Sequence, residues 1–326
     1  MTNGSIKDKN QTERITYQQA YEKVKEEVDR TLSTSPFVIR EYMKHLSLST
    51  GKYIRTASLL ACAMDQDDLI HPDAVKLSAA VEIMHLATLV HDDVIDNAEL
   101  RRGELSLQKK YGRRTAVICG DYLLCMALKT ASLIEDREEY VKRSFPDYMS
   151  KVCLGELNQH INNGNFDLSV YRYLKIIAGK TAALFEASFH AGAVLSVKEE
   201  SMIKQYARLG KYIGMIFQLT DDCMDFETTE KVAQKPVKSD FEQNVITLPL
   251  IHTFERMEDF KELAKQGAVT REEIDRAVQK AGGLSYTRLI AKKYYTKSLR
   301  IINQVEVSTA KREKLLSILE KAYRIF

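Results

Sequence analysis

"HPDAVKLSAAVEIMHLATLVHDDVID" runs from His71 to Asp96. Pro72 and Asp73 stand where a helix starts. The apolar residues that follow recur at helical spacing, so the stretch reads as one helix through Asp96. It closes on three aspartates, Asp92, Asp93 and Asp96, and two arginines, Arg101 and Arg102, come a few residues later. Three negative charges at the end of an apolar helix, followed by two positive ones, need a physical reason.

Outward from this stretch the chain has the same character. A charged helix is expected at about 16–33, and Ser35-Pro36 restarts the chain into "FVIREYMKHLSLS". "STGKYIRT" (49–56) joins glycine to basic residues and reads as a loop running into a helix. Long periodic segments follow at about 114–135, 142–162, 169–196 and 200–225. Thr270 and Glu273 form a capping box, and Gly282-Gly283 breaks the C-terminal part. With only 14 glycines and 5 prolines in 326 residues, an all-α fold is expected. The reading is a disordered tail over 1–14 and one helical domain over 15–326.

Composition excludes several classes. The net charge of +3 comes with no basic stripe interleaved with aromatics, which argues against nucleic acid as a partner. "MTNGSIKDKNQTER" has no apolar core, so no signal peptide is expected. No stretch reads as a membrane span. Five cysteines without a CxxC pair suit reduced, mostly buried thiols of a cytosolic protein, with Cys223, set between acids, the more exposed.

The aspartate pattern occurs twice. "GMIFQLTDDCMDF" (214–226) repeats an apolar helix ending in Asp221, Asp222 and Asp225, and both stretches spell D-D-x-x-D. Residues four apart share a helix face, so Asp92 projects with Asp96 and Asp221 with Asp225. One such pair is ordinarily a solvated acidic face. Two, each at the mouth of an apolar run, call for a cation, because sheltered like charges repel. All-carboxylate ligands without cysteine favour a hard ion, and Mg²⁺ also leaves room for water and phosphate oxygens. Arg101 and Arg102 supply planar forks suited to phosphate. Metal, diphosphate and arginine form a cage, and apolar helices behind it suit a greasy substrate, an isoprenoid diphosphate.

Here the sequence resembles the trans-isoprenyl (polyprenyl) diphosphate synthases, over roughly residues 30–326. "HDDVIDNAELRRG" (91–103) resembles the family's first aspartate-rich motif and "FQLTDDCMDF" (217–226) its second. "GKT" (179–181) is similar to its lysine-threonine step on a kinked helix, and "QKPVKSDFEQNVITLP" (234–249) to its lysine-bearing loop. "TGKYIRT" resembles the Gly-Gly-Lys-Arg-x-Arg-Pro motif, with Thr50 for the first glycine, Tyr53 for the middle arginine and Thr56 for the proline. Asn97 replaces a common sixth acid, and Gln234 and Lys238 stand where glycines are usual.

The resemblance implies an isoprenoid-synthase helical bundle around a central cavity. It implies two or three Mg²⁺ ions on Asp92, Asp96 and Asp221, with Asp93, Asp222 and Asp225 in or near the shell. Arg101, Lys180 and Lys235 would contact the allylic diphosphate, farnesyl diphosphate being the expected primer. Lys52, Arg55, His85 and Arg102 would contact isopentenyl diphosphate, while Thr181 and Gln218 would place oxygens near the developing allylic cation. The implied reaction is ionisation, condensation and elimination, with no protein general base. Read alone, His85 is a core histidine, Lys180 a snorkelling surface lysine, and Thr181 and Gln218 buried polar groups with ordinary partners.

Three other classes are weighed against this. Glu82-x-x-His85 fits half of a di-iron bundle motif, but none of the other histidines has Glu three residues before it. A terpene cyclase usually lacks a second DDxxD. A non-catalytic subunit usually loses aspartates, whereas both motifs are intact here. A homodimer, or a heterodimer with a small regulatory subunit as in some bacterial members that make seven-unit chains, remains open.

Product length is expected from the Asp92 helix, down which the growing tail would run. An isoprene unit extends about 5 Å, close to one turn. One turn or slightly more before Asp92 stand Thr88 and Ala87, both small, where short-chain members of the family carry bulky aromatics. The first bulky side chain is Met84, which can move aside. A medium or long all-trans product suited to a quinone side chain such as that of menaquinone is expected, with a short-chain product (farnesyl or geranylgeranyl) as the alternative.

Overall fold

The computed structural model describes residues 13–47, 51–134, 147–227 and 240–324. They group into two compact units, one within Met1–Lys142 and Ala191–Lys198, the other within Arg143–His190 and Glu199–Phe326. Strand is confined, among the described residues, to two-residue ladders: β1 (Ile15–Thr16) with β2 (Leu69–Ile70), and β3 (Leu100–Arg101) with β4 (Glu104–Leu105). The rest is helix and connections, so the fold is all-α as the composition indicates.

The first unit holds α1 (Tyr17–Ser33), α2 (Phe37–Ser47), α3 (Ile54–Ala63), α4 (Asp73–Ile95), α5 (Leu107–Tyr111) and α6 (Arg113–Ala131). Helix α1 starts from a capping box between Thr16 and Gln19 and buries Ala20, Val24, Val28 and Leu32, one stripe at helical spacing. Helix α4 is the unit's central element. It buries small and apolar residues on several sides and packs along α6, α1 and α3. Its length and composition would suffice to cross a membrane, which corrects the expectation that no stretch reaches that mark. Half of its most apolar window is buried inside the protein, as befits a core helix.

The second unit holds α7 (Tyr148–Ile161), α8 (Val170–Ile177), a π-helical turn (Ala178–Ala182), and α9 (Ala183–Ser196), whose residues from Ala191 onward group with the first unit. It continues with α10 (Glu200–Glu227), α11 (Leu248–Arg256), α12 (Glu258–Lys265), α13 (Arg271–Ala281), α14 (Gly283–Gln304) and α15 (Thr309–Tyr323). The single helix expected over 169–196 is therefore interrupted by one wide turn. Helix α10 packs on α14 and α15, and its Met215 and Leu219 join a core with Tyr173, Ile176, Leu248, Ile251 and Phe254. Thr270 and Glu273 form the expected capping box, and Gly282 stops α13 in the left-handed region at φ 75°. Cys62, Cys119 and Cys223 are buried, while Cys125 and Cys153 are exposed. Cys223 thus reverses its expectation: it lies on the core face of α10 beside the buried Asp222, not on the acidic face.

Candidate active site

The acids of the first motif lie in the last turn of α4, with Asp96 as the residue that ends it. No basic residue shares that turn. The negative end of a helix macrodipole disfavours further negative charge, so this end is electrostatically short of a cation. The chain after Asp96 turns back at once. Asn97 adopts a positive φ, and β3 and β4 form a hairpin whose two central residues, Arg102 and Gly103, have φ of 52° and 90°. Positive φ at both central positions is the type I′ two-residue turn, and the glycine of "RRG" supplies the second of them without strain. The hairpin swings Arg101 onto Asp93: the guanidinium donates from Nε to Oδ1 at 2.9 Å and forms an ion pair through Nη2. Asp93 is buried; its carboxyl is raised by burial, partly offset by Arg101.

Other predicted residues gather in the same unit. His85 is half-buried on α4, two turns before Asp92. Burial holds its imidazole well below the usual histidine range, and the cations Arg55, Arg102 and Arg101 push in the same direction. Arg55 is buried in the first turn of α3, and Lys52 is exposed just before it. A Cβ added at Gly51 would stand 3.4 Å from the Arg102 guanidinium, so that hairpin arginine reaches the "GKYIR" loop. Thr50, in the same motif, lies outside the described residues.

In the second unit, Asp221, Asp222 and Asp225 lie near the end of α10, again with no basic residue in the last turn. Asp222 is fully buried and faces inward. Its Oδ2 accepts from the Tyr173 hydroxyl, and its Oδ1 accepts from Gln218 Nε2 at 3.0 Å. Burial pushes its carboxyl up to about 8 against those two donors. The Thr181 hydroxyl donates to Gln218 Oε1 at 2.6 Å, so Thr181, Gln218, Asp222 and Tyr173 form one chain of hydrogen bonds. The cationic partners of the other two acids come from far along the sequence. Arg324 lies 3.4 Å from Asp221, and Arg271 lies 3.6 Å from Asp225.

Lys180 and Thr181 sit in the π turn. π turns are rare and recur at functional sites because the extra residue re-aims side chains. Lys180 is not a free-ranging surface lysine: its Nζ donates to Glu156 of α7 at 2.9 Å. The turn packs against α7 at Gly155, where a Cβ would come within 2.1 Å of the Lys180 nitrogen. Lys235, with Gln234 and Lys238, lies outside the described residues.

The donor chemistry fits Mg²⁺. Among the described residues no three His, Cys, Asp or Glu side chains gather into a complete metal cage. The protein offers pairs, Asp92 with Asp96 and Asp221 with Asp225, four residues apart on their helices. An ion that takes one or two carboxylates and completes its octahedron with water and phosphate oxygens suits such pairs. Asp225 Oδ2 is buried with no hydrogen-bond donor on it. The Arg271 guanidinium, 3.6 Å away, is the cation that approaches it and offsets the cost of its burial.

On α4, Met84, His85 and Thr88 share a partly exposed face with Asp92, and the Thr88 hydroxyl donates to the His85 carbonyl at 2.8 Å. Ala87 is fully buried with Ile83 and Val90 on the packed face. The sequence alone did not single out Tyr173, Glu156, Arg271 or Arg324. Each meets its partner through tertiary contact, and no local spacing announces it.

Comparison with known proteins places these features in one family. The polyprenyl synthetase family model matches residues 37–281. The chain is 33% identical over 294 residues to component 2 of the heptaprenyl diphosphate synthase of Geobacillus stearothermophilus, covering 88% of this chain and 90% of that protein. It is 31% identical over 297 residues to a geranylgeranyl diphosphate synthase of Saccharolobus solfataricus, covering 86% and 88%. Its fold superposes on the crystal structure of the heptaprenyl diphosphate synthase from Staphylococcus aureus with a TM-score of 0.85 at 30% identity, covering 96% of this chain and 99% of that one.

Proposed function

We propose, from the premise that the chain belongs to the polyprenyl synthetase family and is a prenyltransferase, that it is a Mg²⁺-dependent synthase. It condenses isopentenyl diphosphate with an allylic diphosphate, farnesyl diphosphate by preference. The observation that carries the reading is that α4 and α10 both end in D-D-x-x-D with no basic residue in the last turn. Each helix end holds a negative charge that the helix itself does not balance.

When bound, Mg²⁺ supplies Lewis-acid stabilisation of the departing diphosphate. Asp92 with Asp96, and Asp221 with Asp225, would each hold such an ion. Asp93 and Asp222 stand behind them, Asp93 on Arg101 and Asp222 on Tyr173 and Gln218. Arg101, Lys180 and Lys235 bind the allylic diphosphate as fixed positive charges, while Lys52, Arg55, His85 and Arg102 bind isopentenyl diphosphate. The neutral state of His85 leaves its ring able to donate one hydrogen bond to that diphosphate without adding charge. Thr181 and Gln218, linked to each other, present oxygen dipoles to the developing cation, a preorganised electrostatic contribution.

The product is a medium or long all-trans chain, roughly six to eight units at about one helical turn each, suited to a quinone side chain such as that of menaquinone. Small Thr88 and flexible Met84 on the Asp92 face support this, and so does the likeness to heptaprenyl synthases. A cytoplasmic setting suits the three buried free thiols. A second subunit, either another copy or a small regulatory partner, is supported by the relative's name as a component and by exposed apolar stripes. Val117, Ile118 and Leu128 line one on α6; Leu154, Leu157 and Ile161 line another on α7.

The test is product analysis with labelled isopentenyl diphosphate and farnesyl diphosphate, with and without EDTA. Condensation should require added Mg²⁺ and yield long chains, and Thr88→Phe should shorten them towards farnesyl or geranylgeranyl. Ala87→Phe, on the packed face, should shorten them less and destabilise the protein more. Full activity in EDTA overturns the metal assignment. A three-unit wild-type product overturns the length.

A further inference from the structure

The first turn of α3 lacks a cap of its own. Tyr53, which precedes Ile54, is held in the left-handed region at φ 49°, and its side chain makes no capping hydrogen bond. Thr56 is the third residue of the helix, and its N–H is one of those that a helix start leaves without an internal partner. A side chain from another helix fills the role. Glu82 of α4 accepts with Oε1 from the Thr56 N–H at 3.0 Å and from the Thr56 hydroxyl at 2.8 Å. A carboxylate at a helix N-terminus is favourable in charge as well as in hydrogen bonding.

The position of this contact gives it consequence. Arg55, the residue before Thr56, is buried, with only 9% exposure. Lys52 and Gly51 lead into it, and the Arg102 guanidinium lies close to Gly51. The negative charge of Glu82 acts on both Tyr53 and Arg102. Glu82 therefore lies within electrostatic reach of the loop and hairpin that carry these cations. The hydroxyl donor depends on threonine at 56, and the N–H donor on any residue other than proline. Proline, which the resembling motif carries there, has neither an N–H nor a hydroxyl.

We propose that Glu82 is a positioning residue for the isopentenyl diphosphate subsite. Through Thr56 it locks the Gly51–Arg55 turn, so that Lys52, Arg55 and Arg102 present their charges in one arrangement. This rests on the reading of those cations as that subsite, and it gives a task to a glutamate that otherwise reads as half of a di-iron motif. Glu82 touches no reacting atom; it acts through the backbone of α3.

The experiment uses the full chain and the variants Glu82→Ala, Glu82→Gln, Thr56→Val and Glu82→Ala with Thr56→Val. Two readouts are taken: KM for each substrate, and amide hydrogen exchange over residues 51–57. Loss of both bonds to a charged acceptor should raise KM for isopentenyl diphosphate about tenfold in Glu82→Ala. KM for farnesyl diphosphate should stay within about twofold, since that ligand uses other cations. Glu82→Gln keeps an acceptor oxygen and should recover most of the loss. Thr56→Val keeps the N–H, should cost about threefold, and should add nothing on top of Glu82→Ala. Exchange at 51–57 should rise in Glu82→Ala. Equal rises in both KM values, effects of the two substitutions that multiply, or unchanged exchange would each overturn the assignment. A wild-type chain that condenses nothing would instead overturn the functional reading, while exchange would still report on the Glu82–Thr56 lock. Should Glu82→Ala not fold, Glu82→Gln and Thr56→Val carry the same comparison.

Discussion

The two D-D-x-x-D ends share their letters but are supported in opposite ways. At the end of α4 the second aspartate, Asp93, is met by Arg101, eight residues further along on a tight hairpin. At the end of α10 the second aspartate, Asp222, is buried completely and met by Tyr173, 49 residues earlier, and by Gln218. In both, the second position is occupied by the protein itself. The first and fifth positions, one turn apart on one face, are the more exposed ones, with Asp221 and Asp225 met by longer ion pairs from Arg324 and Arg271. The motif is thus not six equivalent ligands. The local support at α4 is a charge pair; the remote support at α10 is a buried hydrogen-bond network, which is costly to leave half satisfied.

That division can be broken by substitution at matched positions. Asp92→Ala and Asp221→Ala should each lower turnover by about a thousandfold, since a metal's stabilisation of developing charge is a large contribution. Neither should lower thermal stability much, because both carboxylates are partly exposed and the Arg324 pair on Asp221 is a solvated one. Asp222→Ala should do the reverse in proportion. It leaves the buried Tyr173 hydroxyl and the half-buried Gln218 amide without their acceptor, at a cost of about 1–3 kcal/mol. Asp93→Ala should cost less stability than Asp222→Ala, because Arg101 stays partly exposed to water. Steady-state kinetics and calorimetric melts of the four variants check this. If the second-position variants match the first-position ones in kinetics and leave stability unchanged, Asp93 and Asp222 are ligands on equal terms.

How much of this the sequence shows depends on distance along the chain. The repeated motif, the helix of His85 and Asp92, the arginines of "RRG" and the break at Gly282 all express local rules of spacing and φ, and each is readable. The all-α class follows from composition for the same reason. Arg324 beside Asp221, Arg271 beside Asp225 and Glu156 under Lys180 arise only when helices pack, and one sequence holds no periodicity that pairs them. Cys223 misled because its acidic neighbours suggest a solvated face, whereas Asp222 beside it is itself buried. Glu82 was visible only as a fragment of another motif, since its partner Thr56 lies on a different helix.

The glycines of the two regions sharpen the same contrast. Gly103 is needed for a backbone angle, φ 90° in an exposed hairpin turn. Gly155 is needed for space, because a Cβ there would meet the backbone of the π turn at 2.1 Å. Gly103→Ala should cost about 1 kcal/mol of local strain and weaken substrate binding through Arg101 and Arg102. Gly155→Ala must displace Gly179 and Lys180, an overpacking cost of about 1–3 kcal/mol. The shift would carry Lys180 and Thr181 out of position, so turnover should fall further than in Gly103→Ala, by roughly a hundredfold. Equal effects would mean that the π turn has slack the close contact does not suggest.

The smallest expected effect separates two histidines, the half-buried His85 and the buried His190. His85 lies among Arg55, Arg101 and Arg102 in the first unit; burial and those cations hold it well below the usual range. His190 lies in the second unit, edge-on to Tyr148 with ring centroids 5.8 Å apart. Burial, with Lys151 adding, pushes it down to about 4, while Lys151 itself pairs with Glu186. Both shifts have one sign. The unfolded chain takes up the proton near pH 6.5, the ordinary histidine value, and the folded chain does so only lower. Each histidine therefore contributes stability that is complete above pH 6.5 and is lost as pH falls; for His190 the loss ends near pH 4. Melting temperature measured from pH 7.5 to 4.5 should decline, and His85→Gln and His190→Gln should each flatten the decline. Inorganic diphosphate with Mg²⁺ then distinguishes the two. An anion among the arginines offsets the charges that depress His85, so its share of the slope should shrink, whereas the share removed by His190→Gln should stay the same. If diphosphate changes both shares alike, the arginine cluster around His85 is not where the anion binds.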